Sequence, residues 1–146
     1  MATAEGGPAL FRLVRFWSRR WARGVAVGVD EEASLPQHVV TLEAVNACTG
    51  QDGATVGEVA RQLGLDHSRA SRMVAAVEAA GFAQRSRSGS DGRRSVVQIS
   101  GTGLQLLQTS RRWQRRMFDE LTRGWSERDR EQFAGYLERL ASEVGA

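Results

Sequence analysis

Lysine is absent from this chain; all 20 basic residues are arginine. A phosphate loop, which needs a lysine beside its glycines, is thereby excluded, and the glycine-rich run 101–107 reads as a helix start. Cysteine occurs once, at Cys48, which excludes an intrachain disulfide and a cysteine-based zinc cluster. The two histidines, His38 and His67, lack metal-ligand spacing, so neither metal nor other cofactor is expected. No apolar run reaches the roughly 18 residues that a transmembrane helix needs, so no membrane partner is expected. The arginine-rich run 11–23 leaves no room for the apolar core of a signal peptide, which implies a cytoplasmic protein. Enzyme signatures are missing as well. There is no nucleophile elbow, no dinucleotide fingerprint, and no serine or cysteine in a recognisable context with histidine. Internal repeats and low-complexity linkers are also absent.

What remains is ordinary in bulk and uneven in detail. A chain of 146 residues, 41% hydrophobic and 25% charged, matches a single globular domain of usual size. The net charge of +3 hides a strongly basic middle. Residues 61–116 hold eleven arginines against Asp66, Glu78 and Asp91, whereas the other 90 residues hold nine against 14 acids. Clustered positive charge is the footprint of a nucleic-acid binder. It is equally that of a solvated, salt-bridged surface, so charge alone does not decide between them.

Periodicity and capping signals set out the elements. Leu10, Leu13, Val14, Trp17, Trp21 and Val25 form one stripe of a helix over about 8–28. Ser34 to Gln37 reads as a capping box for a helix over about 35–48, with Val39, Leu42, Ala44 and Val45 inward. Thr55 to Glu58 is a second box, opening a short helix that Gly64 ends. Asp66 then caps a helix over about 67–80, and helix, tight turn, helix is the spacing of a helix-turn-helix. Ala70, Met73, Val74 and Val77 line one side of that last helix. Ser68, Ser71, Arg72 and Ala75 line the other, which carries no acid before Glu78. Small polar side chains with a guanidinium among them suit close approach to phosphates and base edges. Two alternating runs, about 82–87 and 94–100, joined by turn residues, read as a β-hairpin with Arg93 and Arg94 near its tip. An arginine-tipped hairpin after a helix-turn-helix is a wing, suited to a minor groove. Helices over about 102–123 and 127–144 complete the chain. Leu106, Trp113, Met117 and Leu121 lie along the first, and Phe133, Tyr136, Leu137, Leu140 and Val144 along the second. Ser126 to Asp129 resembles a capping box between them. The fold expected is mainly α within an α+β class: a winged helix-turn-helix core with long terminal helices.

The run Asp66, His67, Ser68, Arg69, Ala70, Ser71, Arg72, followed by Glu78 to Phe82, Arg85, Asp91 to Arg93, and Ile99 to Gly103, resembles the MarR family of winged-helix transcriptional regulators. Val77 stands where that family usually has leucine, and Ile99 and Ser100 depart mildly from its next motif. The order of elements agrees over about 8–144, so residues 1–146 read as one MarR-like domain. Its winged-helix lobe spans about 35–101, flanked by dimerisation helices at about 8–28 and 102–144. The resemblance implies a homodimer joined by the first and last two helices, with the recognition helix in the major groove. It implies that Asp91 and Arg93 support each other and that Arg93 reaches the minor groove. It further implies a pseudo-palindromic double-stranded operator, a repressor role, and a small phenolic or other aromatic effector that weakens binding. Independently, Trp17, Trp21, Trp113, Phe118, Trp125, Phe133 and Tyr136 crowd toward the chain ends. That is more aromatic surface than a monomer of this size readily buries beside a winged-helix core.

The candidate DNA-contacting set is therefore His67, Ser68, Arg69, Ser71, Arg72, Arg85, Arg87, Asp91, Arg93 and Arg94. His67 also reads as merely exposed. Trp17, Arg20, Trp21 and His38 are candidates for an effector pocket, since arginine pairs with carboxylates and tryptophan stacks on rings. Trp17 and Trp21 read first as stripe residues, and His38 first as a half-buried helix residue. Cys48 reads as a small buried residue, and Arg111, Arg112, Arg115 and Arg116 as a solvated face with phosphates in possible reach. Two other functions stay open at this level: a winged-helix protein-interaction module, and a binder of DNA without sequence preference.

Overall fold

Local capping and apolar spacing recur as helices at nearly the expected places. The computed structural model describes residues 5–26, 35–48, 50, 52–89 and 92–146, and for Arg19, Leu35 and residues 21–26 the backbone alone. The chain divides into two compact units, Met1–Pro36 and Gln37–Ala146.

The first unit is built on α1, Gly6–Ala26. Leu10, Leu13 and Val14 of its apolar stripe are exposed, as are Phe11 and Phe16. Trp17 meets Phe16 edge-on at a centroid distance of 5.2 Å. The Ser34 capping box lies outside the described residues.

The second unit carries α2 (Leu35–Ala47) from Gln37 onward, then α3 (Val56–Leu63), α4 (His67–Ala79), β1 (Ala83–Arg87), β2 (Ser95–Ile99), α5 (Gly101–Leu121) and α6 (Glu127–Glu143). Its core joins Val39, Leu42 and Val45 of α2 to Val59 of α3, Ala70, Val74 and Val77 of α4, Val96 and Val97 of β2, and Leu106 and Leu107 of α5. Each such buried valine or leucine contributes about 1.5–3 kcal/mol of apolar transfer. The Thr55–Glu58 capping box is complete. The Glu58 N–H donates to Thr55 Oγ1 at 3.2 Å, and the Thr55 N–H donates to Glu58 Oε2 at 2.8 Å. Gly64 ends α3 in the left-handed conformation, and Asp66 caps α4 by accepting the Arg69 N–H at 2.9 Å.

β1 and β2 pair antiparallel, with Arg85 opposite Val97. An isolated β-bridge between Ala54 and Val97, not foreseen from sequence, adds to this pair. The Ala54 N–H donates to the Val97 carbonyl at 3.0 Å, and the Val97 N–H returns a bond to the Ala54 carbonyl at 2.7 Å. Gly53 permits this approach: its φ is +114°, and a Cβ there would lie 2.7 Å from the Val97 carbonyl oxygen.

Ser100 caps α5 by accepting the Gly103 N–H at 3.1 Å. The expected stripe of α5 is only partly inward. Leu107 and Ser110 join Leu106 in the core, Trp113 and Met117 are half-buried, and Leu121 is 56% exposed. The lobe's core meets only the first half of this long helix. On α6, Phe133 stacks on Phe118 of α5 with centroids 6.0 Å apart, and Arg130 bonds Thr122 Oγ1 at 3.0 Å and pairs with Asp119. Tyr136, Leu137, Leu140 and Val144 of its stripe are exposed. Cys48, expected to be buried, is half-buried in the turn after α2, and partial burial pushes its thiol upward. No described helix is long and apolar enough to cross a membrane.

Candidate nucleic-acid interface

Burial of Ala70, Val74 and Val77 sets the rotation of α4. Helical spacing then turns the opposite side outward: His67, Ser68, Arg69, Arg72 and Ala75 are exposed and Ser71 is half-buried. The helix N-terminus adds unpaired N–H groups and the positive end of the dipole. Asp66 works against that end but is engaged within the chain, 3.5 Å from the Arg69 Nε. The Arg69 backbone N–H, with help from the Arg69 and Arg72 guanidiniums, holds its carboxyl below the usual carboxylate range.

The wing arginines do not share one role. Arg85 turns back to pair with Glu78 on α4. Arg87 donates from Nη1 to the Gly92 carbonyl at 3.1 Å, bracing the tip. Arg94 Nη2 lies 3.8 Å from Glu58 Oε1 on α3. The Thr55 N–H, with its hydroxyl and Arg94 adding to it, holds the Glu58 carboxyl below its ordinary range. Arg93 is exposed at the tip. Asp91 lies outside the described residues. Expected alike as DNA contacts, Arg85 and Arg94 thus also tie the wing to α4 and α3, because acids from those helices meet them across the fold.

Sequence reasoning passed over Asp52. Its Oδ2 accepts the Ser88 hydroxyl at 2.8 Å, and its carbonyl accepts the Gln98 Nε2–H at 3.1 Å. An Asp-Gly pair in a turn looks ordinary in sequence, and nothing nearby announces partners 36 and 46 residues away.

The arginines of α5 also differ. Arg111 grips Glu43 of α2, Arg112 donates to Thr109 Oγ1 at 3.0 Å, and Arg115 and Arg116 are exposed. Of the effector candidates, His38 is 6% exposed, with its ring 5.6 Å from that of Phe82. Arg20 folds back on its own helix, its guanidinium 4.0 Å above the Phe16 ring and its Nη1 donating to the Phe16 carbonyl at 2.9 Å. Trp17 also packs on Phe16, which sequence reasoning did not single out. The Trp21 side chain lies outside the described residues. Among the described residues, no group of three or more His, Cys, Asp or Glu side chains could hold a metal ion.

Residues 36–94, from the start of α2 to the far side of the wing, match a family model described as the MarR family. This stretch of the chain is similar to the MarR family. An uncharacterised HTH-type transcriptional regulator, YxaD of Bacillus subtilis (strain 168), is 34% identical over 87 residues, 60% of this chain and 61% of that protein. The chain thus matches about three-fifths of the length of this relative. Among solved structures, a MarR family protein from Bacillus stearothermophilus covers 100% of both chains at a TM-score of 0.73 and 18% identity. S. aureus MepR resembles this chain both in a variant bound to an oligodeoxyribonucleotide and when bound to ethidium bromide. Each match has a TM-score of 0.61 and 22% identity over 94% of this chain and 96% of the other. At these identities the structural likeness speaks for the fold.

Proposed function

We propose that this chain is a DNA-binding transcriptional regulator of the MarR family. In this reading it acts as a homodimeric, ligand-responsive repressor of a pseudo-palindromic operator. The observation that carries the reading is the outward face of α4: Ser68, Arg69 and Arg72 exposed, with no acid on that face before Glu78, beside a wing tipped by Arg93. Two such helices, one from each protomer, read half-sites about 34 Å apart, one turn of DNA. The wings flank them over the minor grooves. In this reading Arg85, Arg87 and Arg94 meet phosphates as well as bracing the wing, and Asp91 supports Arg93.

Dimerisation is supported by the apolar side chains left open on α6, namely Tyr136, Leu137 and Leu140, and on α1, namely Leu10, Leu13 and Val14. A second copy covers them. An effector that prefers a different spacing of the two lobes shifts the population away from the DNA-competent state. Trp17, Arg20, Trp21 and His38 are the residues to test for it. That MepR is found with ethidium bromide makes a planar aromatic cation a reasonable probe.

The test is fluorescence anisotropy on a duplex selected from a random-sequence pool, against a scrambled duplex, at several salt concentrations. The expected result is binding that survives scrambled competitor, with two protomers per duplex. Equal, steeply salt-dependent binding to both duplexes would leave only the electrostatic component. Absence of binding at low salt would favour a protein-interaction module.

A further inference from the structure

We propose that Asp52 is a positioning residue of the wing, setting the direction in which the Arg93 tip projects, without itself touching DNA. The proposal rests on the DNA-binding reading above. A two-stranded hairpin is marginal by itself in water and takes its pose from what it is tied to. Asp52 stands outside the hairpin, in the segment ahead of α3, and holds both of its arms. Its carboxylate accepts the Ser88 hydroxyl at 2.8 Å just past β1, and its carbonyl accepts the Gln98 Nε2–H at 3.1 Å on β2. Two residues on, Ala54 pairs with Val97 through both backbone bonds.

Ser88 marks the point where the tip leaves the body of the wing. Among the described residues from Gln84 to Arg94 it is the buried one, at 5% exposure. Its N–H donates to the Arg94 carbonyl at 2.8 Å, closing the hairpin directly behind Arg93. A Cβ on Gly89, the next residue, would lie 3.6 Å from Asp52 Oδ1, so the outgoing strand runs along this carboxylate. Oriented hydrogen bonds to a charged acceptor are stronger than neutral ones and specify direction as well as distance.

The sign of the effect separates positioning from charge. Removing an acid from a DNA-binding surface raises attraction to phosphates. If Asp52 were only a charge, Asp52→Ala and Asp52→Asn would both bind DNA more tightly. If it positions the wing, Asp52→Ala binds more weakly, and Asp52→Asn, which keeps an oxygen for the Ser88 hydroxyl, does not.

The experiment measures anisotropy of the full chain on the selected duplex at fixed salt, with amide hydrogen exchange across residues 84–98 in the same variants. Asp52→Ala is expected to weaken binding about tenfold, while Asp52→Asn stays within about threefold of the parent. Added to Arg93→Ala, Asp52→Ala is expected to cause little further loss, because both act through one tip. Exchange at Ser88 and its neighbours is expected to quicken in Asp52→Ala, with α4 and α5 unchanged. Equal or tighter binding by Asp52→Ala, or losses that add to those of Arg93→Ala, would overturn the proposal. Should the parent chain bind no duplex, the regulator reading falls, and exchange alone decides whether Asp52 holds the wing: unchanged wing exchange overturns it.

Discussion

Arg111 on α5 and Glu43 on α2 form a two-point ion pair, with Nε 3.2 Å from Oε1 and Nη2 2.9 Å from Oε2. The pair joins the middle of α5 to α2 across 68 residues of chain. Hydrogen bonding to Glu43 raises the Arg111 pKa still further above neutrality, so the guanidinium stays charged at any physiological pH. Both side chains are more than one-third solvated, 40% and 34%, so water and salt screen the interaction. Breaking it with Glu43→Gln is expected to lower unfolding free energy by about 0.5–1 kcal/mol, less at high salt. Urea unfolding at low and high ionic strength checks this, and equal losses in both would count against an electrostatic origin.

Acid is expected to weaken the entry to α3. The Glu58 carboxyl is held below its ordinary range, chiefly by the Thr55 backbone N–H, so folding favours its ionised form. A carboxyl with a depressed folded pKa stabilises fully above its unfolded value, about 4.3 for glutamate, and the benefit is lost as pH falls through the folded value. The stability difference between the parent and Glu58→Gln is thus expected to be flat from neutral pH down to about pH 5 and to shrink below about pH 4. Denaturant titrations across that range give the difference directly. A gap that widened in acid would mean the sign was wrong.

Two glycines of one helix should respond oppositely to alanine. Alanine within a helix ordinarily stabilises by about 0.5–1 kcal/mol relative to glycine. At Gly103 the added Cβ would lie 2.1 Å from the Phe82 carbonyl oxygen and 2.7 Å from Ile99 Cγ2, whereas at Gly101 it meets nothing within 4 Å. Gly103→Ala is therefore expected to destabilise by about 1–3 kcal/mol through overpacking. Gly101→Ala is expected to be neutral or mildly stabilising. Urea midpoints for the two variants test the contrast, and similar shifts would refute it.

The two arms of the DNA interface should fail in different ways. Arg72→Ala, together with changes at Ser71, is expected to cost about 1–3 kcal/mol on the selected duplex and less on scrambled DNA, because base reading is lost. Arg93→Ala is expected to weaken binding by a similar amount and to lower the salt slope by about one. Arg87→Ala is expected to weaken all duplexes alike. Salt-titrated anisotropy on both duplexes separates these outcomes, and equal losses on both for Arg72→Ala would remove it from base reading.

Much of the lobe was legible because its determinants are local. Thr55 and Glu58 lie three residues apart, as do Asp66 and Arg69, and Ser126 and Asp129, so each cap closes within one helical turn. The two faces of α4 follow from helical spacing alone, and so does the outward placement of Ser68 and Arg72. The wing was legible as alternation broken by turn residues, to within a residue of its observed strands. What could not be read was which partner each charged side chain takes. Arg85 and Arg93 look equivalent in sequence, yet it is Arg85 that meets Glu78 across the fold. Asp52 had no local signal, since an isolated Asp-Gly turn is common in any loop.

By itself, then, the sequence determined the helices, the caps at Thr55, Asp66 and Ser126, the hairpin and the basic, acid-poor face of α4, because these depend on interactions spanning a turn or two of chain. Only the tertiary structure decided that Ala54 bridges to Val97 of β2, that Phe82 leaves no room for a side chain at Gly103, and that Leu107 rather than Leu121 enters the core. It also decided the pairings of Asp52 with Ser88, Glu58 with Arg94 and Glu43 with Arg111. The physical reason is distance along the chain. Contacts between residues 36 to 68 positions apart exist only after the helices pack, and the packing is set by the sum of many apolar contacts that no short motif encodes.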